Sequence, residues 1–132
     1  MKIAADTNLL LRYVLADDPV QYKQALEMME RAEVVAVTTV ALCELVWVLR
    51  SSYGVSRENI AATIAGLGET SKIVMDRAAV DAGLVMLRAG ADFADGVIAY
   101  EGRWLGGDTF VSFDGKAVAA VTEQGMKAKL LK

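Results

Sequence analysis

Short apolar runs of strand length alternate with longer stretches of helical periodicity along the whole chain. Four of these runs, at residues 2–5, 34–38, 73–75 and 109–113, have the composition of β-strands. A fifth strand is predicted at the carboxyl-terminal edge, from Lys127 to Leu131. Strands that alternate with helices are typical of an α/β domain with a parallel sheet covered on both faces. We therefore expect one α/β domain over residues 1–132, with a sheet of four to five strands.

Helices are predicted between and after these strands. Their apolar residues recur three or four positions apart, and capping or turn residues mark their ends. The expected helices cover residues 8–16, about 19–32, 40–52, a stretch capped by Ser56, a stretch from Asp76 to Gly90, a stretch opened by Asp92, and a stretch from Asp114 to about Glu123. The helix over residues 40–52 is apolar nearly all round, so we expect it to be buried.

The composition narrows the chemistry of the protein. The chain has 132 residues and a net charge of −3. Because the whole protein does not attract a polyanion, a nucleic acid would have to bind at a local patch or through a bound metal. It contains no histidine, which excludes Ser-His-Asp and Cys-His catalysis and histidine metal ligands. Its one cysteine, Cys43, forms no internal disulfide and suits a reducing compartment. No signal peptide or membrane span is evident, so we expect a soluble cytoplasmic protein.

Four aspartates stand at places where helices begin. Asp6 and Asp114 each follow an apolar strand and open a helix, and ligands of open α/β sheets collect at those strand ends. Asp92 and Asp95 lie in the first turn of one helix, where the macrodipole favours negative charge. Helix capping alone would explain Asp6 and Asp114, so capping and ligand binding both stay open for them.

Glu44 is the only charged residue between Val40 and Leu49. In a buried helix an unpaired ionised carboxylate costs several kcal/mol, so Glu44 is expected to be protonated, ion-paired or bound to a cation. Carboxylates that converge without basic partners repel one another. A hard divalent cation such as Mg²⁺ or Mn²⁺ prefers oxygen ligands and would remove that repulsion.

Four motifs of the chain resemble those of the PIN-domain family, and more narrowly those of the VapC-type ribonuclease toxins of toxin–antitoxin pairs. In order they are Ala5-Asp6-Thr7-Asn8, residues 39–45 around Glu44, residues 90–99 around Asp92 and Asp95, and residues 112–117 around Asp114. Each motif alone is weak. Their order, spacing and strand–helix contexts over nearly the whole chain make the set specific.

The resemblance implies a three-layer α/β/α fold with the strand order 3-2-1-4-5. It also implies one catalytic metal site for Mg²⁺ or Mn²⁺, formed by Asp6, Glu44, Asp95 and Asp114. Asn8 and Ser112 match positions that orient the carboxylates or the metal-bound water. Asp92 is expected to cap its helix or to support the site from outside. Lys116 is either a contact to an RNA phosphate or a solvated surface lysine.

One departure from the family pattern is Gly96, where relatives often carry alanine. A glycine inside a helix costs up to ~1 kcal/mol of helix propensity, and we expect no damage to the site from it.

The activity implied by the resemblance is hydrolysis of RNA by a metal-activated water, leaving a 5′-phosphate and a 3′-hydroxyl. The implied partners are an RNA substrate, a second copy in a homodimer, and a cognate antitoxin that lays an apolar segment across the first helices. DNA would be reached only through the antitoxin, and no membrane partner is implied. The groove for the antitoxin could use residues that core packing also explains, namely Tyr22, Met28, Met29 and Trp47.

Two other functions are compatible with parts of the sequence. One is a catalytically silent PIN-like module that binds RNA or protein, which loss of one or more of the four acids would have indicated. The other is a phospho-accepting regulatory domain with Asp76 as the acceptor. That domain type has no counterpart for an acid such as Glu44, which argues against it.

Overall fold

The computed structural model describes the whole chain, Met1–Lys132, and confirms the predicted α/β class. Its strands are β1 Lys2–Ala4, β2 Val34–Ala36, β3 Ile73–Val74, β4 Thr109–Ser112 and β5 Lys127–Leu130. Its helices are α1 Thr7–Leu15, α2 Pro19–Arg31, α3 Thr39–Ser51, α4 Arg57–Glu69, α5 Arg77–Arg88, α6 Phe93–Trp104 and α7 Gly115–Glu123. The chain divides into two compact units, Met1–Asp76 and Arg77–Lys132. None of the helices has the length and apolar character that a membrane crossing requires.

The first unit contains a parallel sheet in the order β1-β2-β3. Val35 lies at its centre, in register with Ile3 on one side and Ile73 on the other, and is only 1% exposed. The pairing continues past β1, because the Ala5 backbone N–H donates to the Ala36 carbonyl at 3.0 Å. This bond holds the chain in place as it turns from β1 into α1, so the position of Asp6 follows from the sheet.

Two contacts tie α1 to α3 and to the turn that follows it. The hydroxyl of Thr7 donates to Glu44, and the Arg12 guanidinium donates to the hydroxyl of Tyr53 at 3.2 Å. Arg12 also forms an ion pair with Asp17 at 2.9 Å. These contacts hold α1 against α3 and the turn that follows α3.

The second unit contains the parallel pair β4-β5, which confirms the predicted fifth strand. Phe110 and Ala128, from the two strands, pack against a buried cluster of helix residues. That cluster consists of Met86, Ala91, Ala99, Ala117, Ala120 and Val121. The chain enters α6 through Gly90, whose positive φ of 89° closes α5 as the sequence predicts.

The two helices α5 and α6 approach each other closely at Gly96. A β-carbon added at Gly96 would overlap the backbone carbonyl of Ala82 and would lie 2.7 Å from Cγ of Met86. Gly96 is therefore required for the packing of α6 on α5. The helix-propensity cost expected from the sequence omitted this contact.

The strand order within each unit agrees with the expected 3-2-1-4-5. The first unit has β3, β2 and β1 as consecutive neighbours, and the second has β4 beside β5. Parallel strands and seven helices fit the three-layer α/β/α architecture. The adjacency of β1 and β4 in that order stays a prediction.

The expectation that α3 is buried all round is wrong. Leu42, Leu45 and Leu49 are buried, but Val40 and Trp47 on the opposite face are 68% and 66% exposed. Glu44 lies between these two and is exposed as well. A uniformly apolar helix can still have one open face, because burial depends on what packs against it.

Candidate active site

Asp6 is the N-cap residue of α1. Its backbone is extended, with φ −80° and ψ 171°, and its Oδ1 accepts the backbone N–H of Leu9 at 2.8 Å. Asp6 therefore caps α1, which is one of the two roles that the sequence left open for it. Capping uses one carboxylate oxygen, so the exposed side chain keeps a second oxygen for a cation.

Glu44 is positioned by the first residue of α1. The Thr7 hydroxyl donates to Oε2 of Glu44 at 3.0 Å, across 37 residues of sequence. Since Glu44 is exposed, burial does not force it to be protonated or paired, and that step of the sequence reasoning is wrong. Its place in the site depends instead on its position beside Asp6. Sequence reasoning missed the role of Thr7, although its place beside Asp6 in the first motif was the available signal.

Asp6 and Glu44 line the same surface cleft, which has a volume of about 500 Å³. Its lining residues are Ala4, Ala5, Asp6, Thr7, Asn8, Thr38, Val40, Ala41, Glu44 and Val48. Asn8, a predicted supporting residue, is among them, and no lysine or arginine is. The cleft thus has two carboxylates and several neutral oxygen atoms but no cationic side chain.

Asp114 is held in the second unit in much the same way as Asp6 in the first. It is the N-cap of α7, and its Oδ1 accepts the backbone N–H groups of Lys116 at 2.9 Å and Ala117 at 3.3 Å. The hydroxyl of Ser112 accepts the backbone N–H of Asp114 at 2.9 Å. Ser112 therefore orients the residue through its backbone. Lys116 is exposed, and its position permits either of the two roles considered for it.

Asp95 lies in the first turn of α6 and is half-buried. Burial raises the pKa of its carboxyl, and the negative charges of Asp92 and Asp114 raise that pKa further. Asp92 occupies the N-cap position of α6, as expected, although its side chain makes no cap hydrogen bond. Asp92 and Asp114 are therefore close enough to Asp95 to oppose its ionisation, and a bound cation would reverse that effect.

The donor atoms available at these residues fit a hard divalent cation. They are carboxylate, hydroxyl and amide oxygens, with no histidine in the chain. Two of the predicted ligands, Asp6 and Glu44, share the cleft of the first unit, and Asp95 and Asp114 interact in the second. No group of three or more acidic or cysteine side chains is placed to hold a metal ion together. The four-carboxylate ligand set therefore stays a prediction.

The comparison with known families covers both units. The model of the PIN domain matches residues 3–120, which include all four motifs and all four predicted ligands. No curated protein and no solved structure matches the chain. Because the match extends over most of the chain, the protein belongs to the PIN domain family.

Proposed function

We propose that the protein is a Mg²⁺- or Mn²⁺-dependent endoribonuclease, the toxin of a type II toxin–antitoxin pair, acting in the cytoplasm. PIN domains are in general nucleases, and this chain carries acids at all four motif positions. The observation that contributes most is the pair Asp6 and Glu44, which face one cleft that contains no cationic side chain. Such a pair is poorly suited to binding a polyanion unless a cation is held there.

Each residue of the proposed site has a definable task. Asp6 and Glu44 would hold the cation through the oxygens that the Leu9 and Thr7 hydrogen bonds leave available. Asp95 and Asp114 would complete the ligand set. A divalent cation supplies a lowered water pKa and stabilises charge on the leaving oxygen. Asn8 lines the cleft and would help to orient the attacking water.

Water as the nucleophile fixes the expected products. Hydrolysis by this route leaves a 5′-phosphate and a 3′-hydroxyl, and the 2′-hydroxyl of the RNA takes no part. The alternative route, attack by the 2′-hydroxyl, relies on a base that accepts its proton, most often histidine. The chain has no histidine. End-labelling of the fragments separates the two routes directly.

The antitoxin would bind across α1 and α2. A groove of about 360 Å³ runs between these helices and is lined by Asn8, Leu9, Arg12, Gln21, Gln24, Ala25 and Met28. Of the residues expected to serve it, Met28 lines the groove, whereas Met29 is buried in the core. Tyr22 and Trp47 are not among the lining residues. The proposed antitoxin segment therefore meets a mixed apolar and polar surface, and a homodimer is proposed on the family resemblance alone.

Incubation with RNA tests the proposal. Purified, antitoxin-free protein is mixed with structured RNAs in Mg²⁺ or Mn²⁺, with a chelator and with Asp6→Asn as controls. Cleavage is expected only with metal and with intact Asp6. Cleavage that survives both controls contradicts the metal mechanism. If no RNA is cut and no cation binds, the silent binding module becomes the better description.

Expression in a bacterial host tests the toxin role separately. The wild-type protein is expected to arrest growth, and Asp6→Asn is expected to relieve the arrest at equal protein level. Unimpaired growth despite RNA cleavage in vitro would support the nuclease activity and contradict the toxin role.

A further inference from the structure

Trp47 has an unusual position for a large aromatic side chain. It is 66% exposed on α3 and lies three residues after Glu44. A helix rises 1.5 Å per residue, so the two residues are separated by roughly 4.5 Å along the axis. Trp47 therefore stands about one turn from a predicted metal ligand and is open to solvent.

Trp47 does not line the cleft, but helical spacing places it beside the α3 residues that do. Val40, which lines the cleft, is seven residues before Trp47, and positions seven apart lie on almost the same line of a helix. Glu44 falls between them. Val40 is 68% exposed, so the border of the cleft along α3 is an apolar stripe interrupted by one carboxylate.

The lining of the cleft offers an RNA phosphate no cationic side chain. Its lining includes Asp6 and Glu44 but no lysine or arginine, so a nucleic acid backbone finds no side-chain cation there. Besides a bound metal ion and the neutral polar groups of Asn8 and Thr38, the apolar surface of the bases is a further source of affinity. Exposed aromatic rings are the side chains on which unpaired bases stack, and they accept every base because each has a π-face.

We infer that Trp47 stacks against an unpaired base of the RNA substrate and so positions the neighbouring phosphate at Asp6 and Glu44; this inference rests on the proposed function. It makes Trp47 a substrate-binding residue rather than a catalytic one. The substrate class is then single-stranded RNA, or RNA with a loop or bulge, because a base inside a duplex is not available for stacking.

A second copy of the chain is a less suitable occupant of this border. Two identical borders in contact would bring two Glu44 carboxylates, and the Asp6 beside each, toward one another without basic partners in the cleft. A single-stranded RNA instead offers uncharged bases to Trp47 and its phosphates to the metal site.

Cleavage kinetics with three variants test the inference. Trp47→Ala is expected to raise KM for a single-stranded substrate by roughly tenfold, with a smaller change in kcat. Trp47→Phe keeps an aromatic ring and is expected to restore most of the affinity. The matched control is Trp104→Ala, because Trp104 is 78% exposed but lies at the end of α6, and its KM is expected to stay at the wild-type value.

Fluorescence gives a readout that does not depend on cleavage. The chain has two tryptophans, so Trp104→Phe leaves Trp47 as the only one. The four acids are left intact, and the protein is titrated in Mg²⁺ with a short single-stranded oligoribonucleotide that has non-hydrolysable linkages. An abasic oligomer of equal length with the same linkages is the comparison. The oligoribonucleotide is expected to quench Trp47 and shield it from iodide, whereas the abasic oligomer is expected to do neither.

The outcomes separate this inference from the proposed function. If the wild-type protein cleaves RNA while Trp47→Ala has an unchanged KM, Trp47 does not bind substrate and the nuclease stands. If Trp47→Ala converts a dimer to a monomer in sedimentation without altering KM, the residue is a contact between copies. Equal quenching by both oligomers would likewise overturn stacking. A thermal melt of Trp47→Ala that matches wild type excludes misfolding as the cause of a raised KM.

Discussion

Three of the four acids of the candidate site, Asp6, Glu44 and Asp114, have one carboxylate oxygen in a hydrogen bond within the protein. Oδ1 of Asp6 and Oδ1 of Asp114 cap helices, and Oε2 of Glu44 accepts the Thr7 hydroxyl. Each carboxylate is held by hydrogen bonds to one oxygen and keeps the other. Capping and metal binding, which compete as explanations of a sequence, are therefore compatible in one residue. Loss of a group that orients a metal ligand in this way typically lowers metal affinity or activity by roughly 10- to 100-fold.

Thr7→Val tests the orienting role of the Thr7 hydroxyl. The side chain keeps its shape and loses the hydrogen bond to Glu44, so metal affinity or RNA cleavage is expected to fall roughly 10- to 100-fold. Isothermal titration with Mn²⁺ and a cleavage assay measure the two quantities. Thr63→Val is the matched control, since its hydroxyl bonds only to the carbonyl of Asn59 in its own helix. Equal losses in both variants would contradict the prediction.

The pKa of Asp95 predicts a pH-dependent effect on stability. Burial, with the charges of Asp92 and Asp114, raises the folded-state pKa of Asp95, so its ionised form costs folding free energy at neutral pH. The full stability is present below the unfolded pKa of about 3.9 and is lost as the pH rises through the higher folded value.

Asp95→Asn is accordingly expected to be more stable than wild type at neutral pH without metal. The gain should be only a few tenths of a kcal/mol, because solvent screens this half-buried group. It should shrink as the pH falls toward the unfolded pKa. Urea unfolding in chelator at several pH values measures it, and equal stability of the two proteins at neutral pH would refute the assignment.

At the scale of the elements, the neighbours of α3 and α6 change what their sequences predict about burial and helix stability. The open face of α3 and the glycine contact of α6 both result from the presence or absence of a neighbouring helix. At Gly96 the neighbour is α5, whose backbone at Ala82 leaves no room for a β-carbon. On α3 no element covers Val40 and Trp47. In each case the effect of the residue on packing depends on whether another element lies beside it.

Alanine substitution at two glycines of α6 separates packing from propensity. Gly96→Ala is expected to destabilise the protein by about 1–3 kcal/mol, because α6 must move away from α5 to admit the methyl group. Gly102→Ala in the same helix meets no atom within 4 Å and is expected to stabilise by up to ~1 kcal/mol. Chemical denaturation of both variants provides the comparison. A stabilising Gly96→Ala would show that the close approach is absent.

For the molecule as a whole, the proposed function requires the two acid pairs to serve one ion. Asp6 and Glu44 belong to the unit Met1–Asp76, and Asp95 and Asp114 belong to Arg77–Lys132. The PIN domain match spans both units, and the chain lacks histidine as an alternative ligand. A site that draws ligands from both pairs makes metal binding depend on every one of them.

Thermal stability with metal tests this dependence. At a hundredfold excess over its dissociation constant, Mg²⁺ or Mn²⁺ is expected to stabilise wild-type protein by about 2.7 kcal/mol, and a chelator to remove the gain. Asp6→Asn and Asp114→Asn should each abolish the whole gain while leaving the metal-free protein folded. Asp108→Asn, in the turn before β4, should keep it. If each single variant loses only part of the gain, the pairs bind separate ions.

Local features of the chain were accessible from its sequence. The alternation of strands and helices, the capping residues Ser56 and Asp114 and the helix end at Gly90 all depend on groups within a few residues of one another. The acids of the four motifs were identified in the same way, since each motif is a short stretch with its own strand–helix context. Backbone conformation and capping are set by near neighbours, which is why they can be predicted.

Exposure and long-range contacts were decided by the folded chain. The sequence could not tell that Glu44 is exposed, that Thr7 bonds to it across 37 residues, or that Gly96 is pressed against Ala82. Each of these facts depends on which surfaces of distant segments meet. An amino-acid pattern records the periodicity of an element but not its neighbours, so the packing of α6 and the apolar border beside Glu44 could be known only from the tertiary structure.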